Sequence, residues 1–321
     1  MTPLRVVVDL KLPPDVMDLM RSSAPNCDWN FVDPAGSSLA SAENPLSTAD
    51  VAFGQPDPGA IATAQRLKWI HVSSSGITKY DSPEFRALVT ERRIQVTNSA
   101  GVYSEPCAVH ALSFILAQAR RLPAAIGSRV AGGTETWQAL RNSSSILRGE
   151  TIVIVGFGAI GRRLAELLKG LGMRIVACRR RSTGDEGLPT VPFERWDVAL
   201  REAEHVMNIL PDAPGTRHYF NRSRLFAMKP GAIFYNIGRG TTVDQDALFD
   251  ALQQGHLGAA WLDVTEPEPL PDGHILWTAP NCYITPHTAG GHPNELRQLT
   301  QYFLENLNRF LEGRPLLDRV M

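Results

Sequence analysis

Four short motifs in the second half of this 321-residue chain carry groups that could do chemistry together. In chain order they are residues 156–161 (GFGAIG), 236–240 (NIGRG), 263–270 (DVTEPEPL) and 285–290 (TPHTAG). They offer a glycine-rich loop for phosphates, a guanidinium, several carboxylates and an imidazole. Such groups are needed to move a hydride to or from a carbon that bears oxygen beside a carboxylate.

The first motif predicts a dinucleotide-binding loop. It follows the apolar run 151–155 and precedes a helical pattern, which is the strand–loop–helix order that such a loop needs. Gly156 permits a tight turn, Gly158 lets the backbone approach a pyrophosphate, and Gly161 lets the helix pack closely on the strand. The helix N-terminus supplies N–H groups for the phosphates. The alternative is a tight turn without a ligand, and the position between strand and helix argues against it.

A basic turn follows the next predicted strand, where an NAD site usually has an acid. Residues 178–181 read Cys-Arg-Arg-Arg. An Asp or Glu there would accept the ribose 2′-hydroxyl of NAD and repel a 2′-phosphate, whereas guanidinium groups pair with that phosphate. We therefore predict that Arg179 and Arg180 make the site prefer NADP(H), with NAD(H) as the second cofactor. The alternative is a solvated basic turn beside an NAD site that lacks its acid.

The other three motifs supply candidate catalytic side chains. Arg239 lies between two glycines beyond a predicted strand, and its planar guanidinium matches a carboxylate and could polarise a ketone oxygen. His287 could donate a proton to a developing alkoxide and take it back during oxidation. A neighbouring carboxylate would orient the ring and favour its protonated form. The spacing alone leaves both Glu266 and Glu268 open for that role.

Asp263 ends the strand that precedes these glutamates. Its carboxylate could accept a hydrogen bond from a nicotinamide carboxamide, and the alternative is a carboxylate that only caps its loop. We predict no metal site. The remaining predicted cofactor contacts come from the same loops and strand ends: Ala159, Ile160, Leu210, Pro211, Ile237, Gly238, His287 and Ala289.

Short β-rich runs alternate with helical patterns along the chain, which predicts an α/β protein with parallel sheets. The second half has six candidate strands, which match a doubly wound dinucleotide fold: 151–155, 174–178, 205–210, 232–236, 258–262 and 282–284. The first third has four: 5–8, 51–54, 67–73 and 94–97. Residues 27–49, rich in Ser, Pro and Asn, give little signal.

Two helical patterns mark where the chain is expected to cross between two domains. Ser104 fits the N-cap of one helix, and a last amphipathic helix spans about residues 293–312. We therefore predict that residues 1–100 plus 291–321 form a smaller domain. Residues 101–290 would form the dinucleotide-binding domain.

The composition is that of an ordinary soluble globular protein. Apolar residues make up 43% and charged residues 20%, and the formal net charge of −1 gives no field that would attract nucleic acid or an anionic membrane. No stretch approaches the roughly 20 apolar residues of a membrane span, and we expect no signal peptide. The scattered cysteines predict reduced thiols in a cytoplasmic protein: Cys27, Cys107, Cys178 and Cys282.

The four motifs, in this order, resemble those of the D-isomer-specific 2-hydroxyacid dehydrogenases, over roughly residues 67–316. In that family the Arg of N-x-x-R-G, the Glu that precedes Pro-Leu and the His of T-P-H form the catalytic set. The resemblance implies that Arg239, Glu268 and His287 take these roles here. It thereby favours Glu268 over Glu266.

The resemblance also implies roles outside this set. The family's carboxamide-binding aspartate matches Asp263. Its loop of two small residues and a glycine, whose N–H groups hold the substrate carboxylate, matches Ser74, Ser75 and Gly76, and Arg239 would bind the substrate as well. The basic turn looks like that of the glyoxylate and hydroxypyruvate reductases that use NADPH.

The family's architecture implies a doubly wound Rossmann domain inserted into a smaller flavodoxin-like α/β substrate domain. Residues 96–102 match the family's hinge. Members are usually dimeric through the Rossmann domain, so we expect a homodimer with a dimerisation arm at about residues 106–145.

The expected function is therefore reduction of a small 2-oxo acid such as glyoxylate or hydroxypyruvate by an NAD(P)-dependent enzyme. A D-3-phosphoglycerate dehydrogenase-like enzyme is the nearest alternative, weakened by the missing acid and by few basic residues for a phosphate beyond Arg120, Arg121 and Lys79. A nucleotide-sensing protein like the corepressors built on this scaffold is the alternative from another class. It would need docking tails, and none is evident in the sequence.

Overall fold

The computed structural model describes residues 3–32, 44–128, 134–180, 184, 186–192, 196–213 and 215–321. The chain divides into two compact units, the first made of residues 1–103 and 291–321 and the second of residues 104–290. Each unit contains one parallel sheet whose strands alternate with helices, which confirms the predicted α/β class.

The first unit contains five parallel strands: β1 (Leu4–Asp9), β2 (Cys27–Phe31), β3 (Val51–Gly54), β4 (Trp69–Val72) and β5 (Gln95–Thr97). Their order in the sheet is β2-β1-β3-β4-β5, which is the flavodoxin-like order. Four helices of this unit complete it: α1 (Pro14–Ser23), α2 (Pro58–Thr63), α3 (Pro83–Glu91) and, late in the chain, α11 (Glu295–Leu311).

Both faces of this sheet are covered, as expected of parallel strands. Alternate residues of β1 enter different core clusters: Val6 and Val8 pack with Phe303 of α11, whereas Val7 packs in the cluster on the other face. Strand β2 was missed in the sequence. It is an edge strand whose Asp28 and Asn30 are exposed, so its run of apolar residues is interrupted.

The second unit contains seven parallel strands: β6 (Thr151–Val155), β7 (Arg174–Arg179), β8 (Thr190–Pro192), β9 (His205–Asn208), β10 (Ile233–Asn236), β11 (Ala259–Leu262) and β12 (Cys282–Ile284). Their order is β12-β11-β10-β9-β6-β7-β8, the doubly wound arrangement with one added edge strand. The prediction of six strands missed β8, which has three residues and pairs only with β7 among the described strands.

Seven further helices complete the described chain: α4 (Ala100–Ala119), α5 (Leu122–Gly127), α6 (Thr134–Ser143), α7 (Ala159–Lys169), α8 (Asp197–Glu202), α9 (Arg222–Ala227) and α10 (Gln245–Gln253). The predicted N-cap at Ser104 is wrong, because α4 already begins at Ala100, whose N–H donates to Asn98 Oδ1. Asp244 caps α10 by accepting from the N–H of Ala247. Within the described residues, no helix has the length and hydropathy needed to cross a bilayer.

Candidate active site

The second unit brings three of the four motifs side by side at one edge of its sheet, and the fourth, the glycine-rich loop, follows β6 at the same edge. Strands β10, β11 and β12 are parallel and adjacent, so their carboxyl ends lie side by side. The loops that follow them carry Arg239, Glu268 and His287, respectively. Open parallel sheets bind their ligands at this edge, so the arrangement suits a catalytic site.

His287 and Glu268 form a hydrogen-bonded pair. The imidazole Nδ1 lies 2.8 Å from Glu268 Oε2, and Glu268 Oε1 accepts from the N–H of Thr265 at 2.9 Å. Glu268 is therefore held by its own loop while it orients the ring. Among the described residues, none hydrogen-bonds to His287 Nε2, which leaves that nitrogen available to exchange a proton.

Glu266, the competing carboxylate in the sequence, faces another partner. Its Oε1 lies 3.0 Å from Arg217 Nη1, and its backbone N–H donates to Gln245 Oε1 at 3.0 Å. His287 is thus paired with Glu268 and not with Glu266. The spacing of the residues in the sequence does not reveal this pairing, because both glutamates lie in the same short loop.

Asp263 organises the loop that carries the histidine. Its buried carboxylate accepts from Thr285 Oγ1 at 2.6 Å, from the N–H of Thr288 at 2.9 Å and from the N–H of Ala289 at 3.0 Å. The N–H of His287 donates to the Asp263 carbonyl at 2.9 Å while the histidine backbone is left-handed, with φ of 53°. The loop-capping role is therefore present, and a bond to a carboxamide remains a prediction.

His110 is a neighbour of this cluster that the sequence did not reveal. Its Nε2 lies 3.5 Å from Asp263 Oδ1 and 3.3 Å from Thr285 Oγ1. Burial lowers the pKa of His110, and the negative charge of Asp263 opposes that shift. Because His110 stands on α4, 175 positions before Thr285, no local pattern could have joined them.

The backbone around Arg239 is held in place from both sides. The Arg239 carbonyl accepts from Asn236 Nδ2 at 3.1 Å and from Thr242 Oγ1 at 2.6 Å, and the guanidinium Nη1 donates to the Gly238 carbonyl at 2.6 Å. The side chain is thus tethered near its own loop, with other guanidinium N–H groups left to meet an anion.

The two glycines that flank Arg239 allow close approach of backbone. A Cβ on Gly238 would lie 2.5 Å from the carbonyl oxygen of Leu210, and one on Gly240 would overlap the Thr265 carbonyl. The Arg239 loop therefore packs directly on the loop that carries Glu268. A side chain at position 240 would push these two loops apart, and one at position 238 would push the Arg239 loop away from the segment that follows β9.

A buried amide network supports the same loops, and it was not predicted. Asn208 Nδ2 donates to Asn236 Oδ1 at 3.0 Å and to Thr242 Oγ1 at 2.7 Å. The two amide oxygens accept from the N–H groups of Leu210 and Gly238, at 3.1 and 3.0 Å. Each of these polar side chains is buried and paired. The signal in the sequence that could have revealed this network was the asparagine at the end of each of two apolar runs, Asn208 and Asn236.

The three glycines of the 156–161 loop occupy three different environments. Gly156 has a φ of +93°, and a Cβ there would lie 2.7 Å from the Ile209 carbonyl oxygen. A Cβ on Gly158 would meet nothing within 4 Å, whereas one on Gly161 would press on Phe157 and Ile154. The loop therefore keeps open space where a pyrophosphate would approach, so it fits a dinucleotide.

The other predicted cofactor contacts lie around this loop. Ala159 and Ile160 open α7, and their backbone belongs to its N-terminal turn. Leu210 is buried and Pro211 exposed just after β9. Ile237 and Ala289 are buried at the ends of the neighbouring loops. The structure thus collects these residues at the carboxyl edge of one sheet.

In the basic turn after β7, Arg179 and Arg180 have different surroundings. Arg179 belongs to the strand, and its Nη1 lies 3.0 Å from Oε1 of Glu186, a buried acid that the sequence analysis missed. Arg180 is exposed at the end of the strand. Arg181 lies outside the described residues. Arg179 therefore already has an acidic partner, and a contact of either arginine with a 2′-phosphate stays a prediction.

In the first unit, the segment from Ser73 to Gly76 follows β4 and has all four carbonyl oxygens paired. Ser73 O accepts from Tyr103 Oη at 3.1 Å, and Ser74 O accepts from the N–H of Ser99 at 3.1 Å. Side-chain donors pair the other two: Ser75 O accepts from Asn98 Nδ2 at 2.6 Å, and Gly76 O accepts from Ser74 Oγ at 2.6 Å. These bonds hold the loop from its carbonyl side.

The N–H groups of the same loop are arranged differently. Within the part of the chain that the structure describes, no acceptor takes a hydrogen bond from the N–H of Ser74, Ser75 or Gly76. Successive backbone N–H groups without internal acceptors are able to donate to a bound anion. The predicted substrate loop thus has the donors that a carboxylate requires.

A cavity of about 490 Å³ borders the histidine–glutamate pair in the second unit. Beyond His287 and Glu268, much of its lining is apolar: Pro269, Leu270, Trp277, Ile284 and Pro286. These apolar side chains line one side of the pair, while the side chains of His287 and Glu268 themselves stay 48% and 37% exposed.

The doubly wound sheet, the open glycine loop and the histidine–glutamate pair define a class of protein, the nicotinamide-dependent oxidoreductases. Residues 112–289 match the family described as "D-isomer specific 2-hydroxyacid dehydrogenase, NAD binding domain". The chain belongs to the D-isomer-specific 2-hydroxyacid dehydrogenase family, whose substrates are small 2-hydroxy and 2-oxo acids.

Known relatives agree with this family. The chain is 32% identical to the human glyoxylate reductase/hydroxypyruvate reductase over 257 residues, which cover 79% of this chain and 77% of the relative. It is 34% identical to a glyoxylate reductase of Aeropyrum pernix over 262 residues, covering 79% and 76%. A solved 2-hydroxyacid dehydrogenase of Xanthobacter autotrophicus, in complex with NADPH and MES, superposes with a TM-score of 0.80 at 26% identity, covering 100% of this chain and 98% of that one.

Proposed function

We propose that the protein reduces a small 2-oxo acid, such as glyoxylate or hydroxypyruvate, to the D-2-hydroxy acid with NADPH. The observation that carries this proposal is the 2.8 Å pair of His287 and Glu268 at the carboxyl edge of the dinucleotide-binding sheet. Reduction of a ketone needs a proton as well as a hydride, and this pair can supply the proton. The names of the relatives, glyoxylate and hydroxypyruvate reductases, support the substrate class.

Each predicted site residue has its own role in the proposed reduction. When bound, the dinucleotide supplies the hydride. His287 donates its Nε2 proton to the oxygen that gains negative charge, and Glu268 stabilises the imidazolium before that transfer. Arg239 polarises the ketone oxygen and binds the neighbouring carboxylate. The N–H groups of Ser74 to Gly76 bind the substrate carboxylate.

Several features support the proposed cofactor roles. Gly158 leaves room for the pyrophosphate and α7 directs its N-terminus to it. The Asp263 carboxylate stands at the end of β11, where it could also accept from a nicotinamide amide. The cytoplasmic location stays a proposal, based on the scattered spacing of the four cysteines in the sequence.

The central test compares two neighbouring glutamates. In Glu268→Gln the pair with His287 loses its charge, so we expect kcat/KM for the preferred 2-oxo acid to fall by about a hundredfold. Glu266→Gln is the matched control, because its side chain contacts Arg217 and leaves His287 untouched. We expect it to stay within about threefold of the wild type. Equal rates for the two variants would remove Glu268 from the mechanism.

The substrate is found by an assay of NADPH and NADH oxidation with a panel of 2-oxo acids. The panel includes glyoxylate, hydroxypyruvate and 3-phosphohydroxypyruvate. A clear preference for the phosphorylated acid would replace our proposal with a D-3-phosphoglycerate dehydrogenase-like activity. Tight cofactor binding without turnover of any 2-oxo acid would instead favour a nucleotide-sensing protein.

Cofactor preference is tested at the basic turn. We expect Arg180→Ala to raise the Kd of NADPH about tenfold and to leave the Kd of NADH nearly unchanged, because only the 2′-phosphate pairs with the guanidinium. Arg179→Ala is the comparison, since it breaks the ion pair with the buried Glu186 and should lower stability as well. Equal losses for both cofactors in Arg180→Ala would contradict an NADP preference.

We also propose a homodimer through the 106–145 segment. Large apolar side chains are exposed along it and just after it, on a surface that a second copy could cover: Val109, Leu116, Leu122, Ile126, Trp137 and Ile146. Residues 129–133 of this segment lie outside the described part. Light scattering of the purified protein should give about 70 kDa, twice the chain mass of 35.2 kDa; a monomeric mass would contradict the proposal.

A further inference from the structure

Behind the Ser74–Gly76 loop lies a buried histidine that no part of the proposed chemistry uses. His71 stands in β4 with no exposed surface. The rings of Phe53, Trp69, Tyr302 and Phe303 surround it, with centroids 5.4 to 5.9 Å from the imidazole. Burial in this apolar setting lowers the pKa of His71 to about 3, so the ring is neutral near neutral pH.

The partners of a neutral imidazole identify which nitrogen carries the proton. Ser99 Oγ donates its only proton to the Val72 carbonyl at 2.9 Å. Because Ser99 Oγ also lies 3.2 Å from His71 Nε2, that nitrogen must be the donor and the serine oxygen the acceptor. His71 is therefore the Nε2–H tautomer.

The other ring nitrogen is consequently an acceptor. Thr97 Oγ1 lies 2.6 Å from His71 Nδ1 and donates its proton to it. The same threonine oxygen accepts from Trp69 Nε1 at 2.9 Å. Each donor in this series of hydrogen bonds therefore has one acceptor. The series runs from Trp69 through Thr97, His71 and Ser99 to the Val72 carbonyl. We call this chain of hydrogen bonds the His71 relay.

The relay ends on the residues that hold the loop. The backbone N–H of Ser99 donates to the Ser74 carbonyl at 3.1 Å, and Asn98 Nδ2 donates to the Ser75 carbonyl at 2.6 Å. The rotamer of Ser99 is set by its two partners, Val72 and His71. A change at His71 therefore reaches the loop through one intervening residue.

We infer that His71 is a positioning residue for the Ser74–Gly76 loop, acting through Ser99, and that it tunes the affinity for the carboxylate of the 2-oxo acid. This inference rests on the proposed function, which assigns that carboxylate to the loop. His71 itself touches no substrate. Its effect should appear in substrate binding and not in cofactor binding, since the dinucleotide loop belongs to the second unit.

Two substitutions of His71 distinguish the hydrogen bond at Nε2 from the hydrogen bond at Nδ1. The side-chain nitrogen of glutamine stands as many bonds from Cα as Nε2 of histidine, whereas that of asparagine corresponds to Nδ1. His71→Gln can keep the donor to Ser99, and His71→Asn cannot. We expect KM for the preferred 2-oxo acid to rise about tenfold in His71→Asn and about threefold or less in His71→Gln, with the Kd of NADPH unchanged in both.

A second readout does not depend on turnover. Amide hydrogen exchange in the peptide that contains Ser99, whose N–H donates to the Ser74 carbonyl, should be faster in His71→Asn than in the wild type, and close to the wild type in His71→Gln. Ile70→Val is the matched control, because it alters a buried β4 residue in the cluster on the other face of the sheet. It should change neither the exchange of this peptide nor KM.

The outcomes distinguish a failure of the proposed function from a failure of the inference about His71. If the wild type reduces no 2-oxo acid, the proposed function fails, and the exchange experiment still decides whether the relay holds the loop. Unchanged exchange in His71→Asn, or equal effects of the two His71 substitutions, would overturn the inference. If His71→Asn does not fold, Ser99→Ala takes its place, because it removes the acceptor of Nε2 and keeps the backbone N–H.

Discussion

Two loops in this protein follow buried parallel strands and present backbone N–H groups, and they are built in different ways. The 156–161 loop of the second unit follows β6, and the 73–76 loop of the first unit follows β4. The first loop takes its shape from glycines, one with a left-handed φ of +93°. The second has a single glycine and takes its shape from donors on other segments that hold its carbonyl oxygens.

This difference shows two ways to leave N–H groups unpaired for an anion. Glycine permits conformations that other residues avoid, so a glycine loop holds its geometry with little outside help. A serine loop needs its carbonyls restrained, here by Asn98, Ser99 and Tyr103. The glycine loop should therefore be sensitive to substitutions within it, and the serine loop to substitutions outside it.

The largest effect is expected inside the glycine loop at Gly156. Gly156→Ala forces a side chain into a left-handed backbone and places Cβ 2.7 Å from the Ile209 carbonyl oxygen. We expect the free energy of unfolding to fall by about 1–3 kcal/mol and NADPH binding to be lost. Denaturant unfolding and cofactor titration measure the two effects. Wild-type stability and affinity would show that this loop does not depend on its glycine.

The next effect separates the binding role of the glycine loop from its folding role. A Cβ at Gly158 meets nothing within 4 Å, so Gly158→Ala should leave the midpoint of thermal unfolding unchanged. The Kd of NADPH should rise about tenfold or more, because the methyl group occupies the space for the pyrophosphate. A lower melting temperature with unchanged Kd would reverse this assignment.

A smaller effect is expected when the serine loop is loosened from outside. Asn98→Ala removes the donor to the Ser75 carbonyl, a bond of 2.6 Å, together with the acceptor of the Ala100 N–H at the start of α4. We expect KM for the 2-oxo acid to rise about fivefold while the Kd of NADPH stays the same. Steady-state kinetics and a cofactor titration on the same preparation give both values. Parallel changes in the two constants would contradict an effect confined to this loop.

The smallest expected effect is on the pH dependence of the free energy of unfolding. The pKa of His71 is lowered from 6.5 to about 3 in the folded protein, so the unfolded chain binds the proton first and stability decreases as pH falls from 6.5 towards 3. Between about pH 7.5 and about pH 6 the wild type should lose about 0.8 kcal/mol more than His71→Gln, which cannot titrate. Urea unfolding at the two pH values measures this difference. Equal losses would mean that folding leaves the pKa of His71 unchanged.

Much of the fold followed from sequence patterns, because its strands are apolar runs separated by helical periodicity. The two strands that were missed, β2 and β8, lie at sheet edges, where one side pairs with no described strand and burial is incomplete. The start of α4 was misplaced because Asn98, and not Ser104, accepts from its first N–H. Such errors arise where tertiary contacts replace a local signal.

For the site, the four motifs, the parallel strands that carry them and the glycines that local geometry demands can be identified in the sequence alone. The contacts of Glu268 with His287, of Glu186 with Arg179, and of Asn98 and Ser99 with the serine loop form only in the folded protein. The physical reason is distance along the chain. A glycine acts on its own backbone, whereas a hydrogen bond between remote side chains exists only after the sheet has brought its strand ends together.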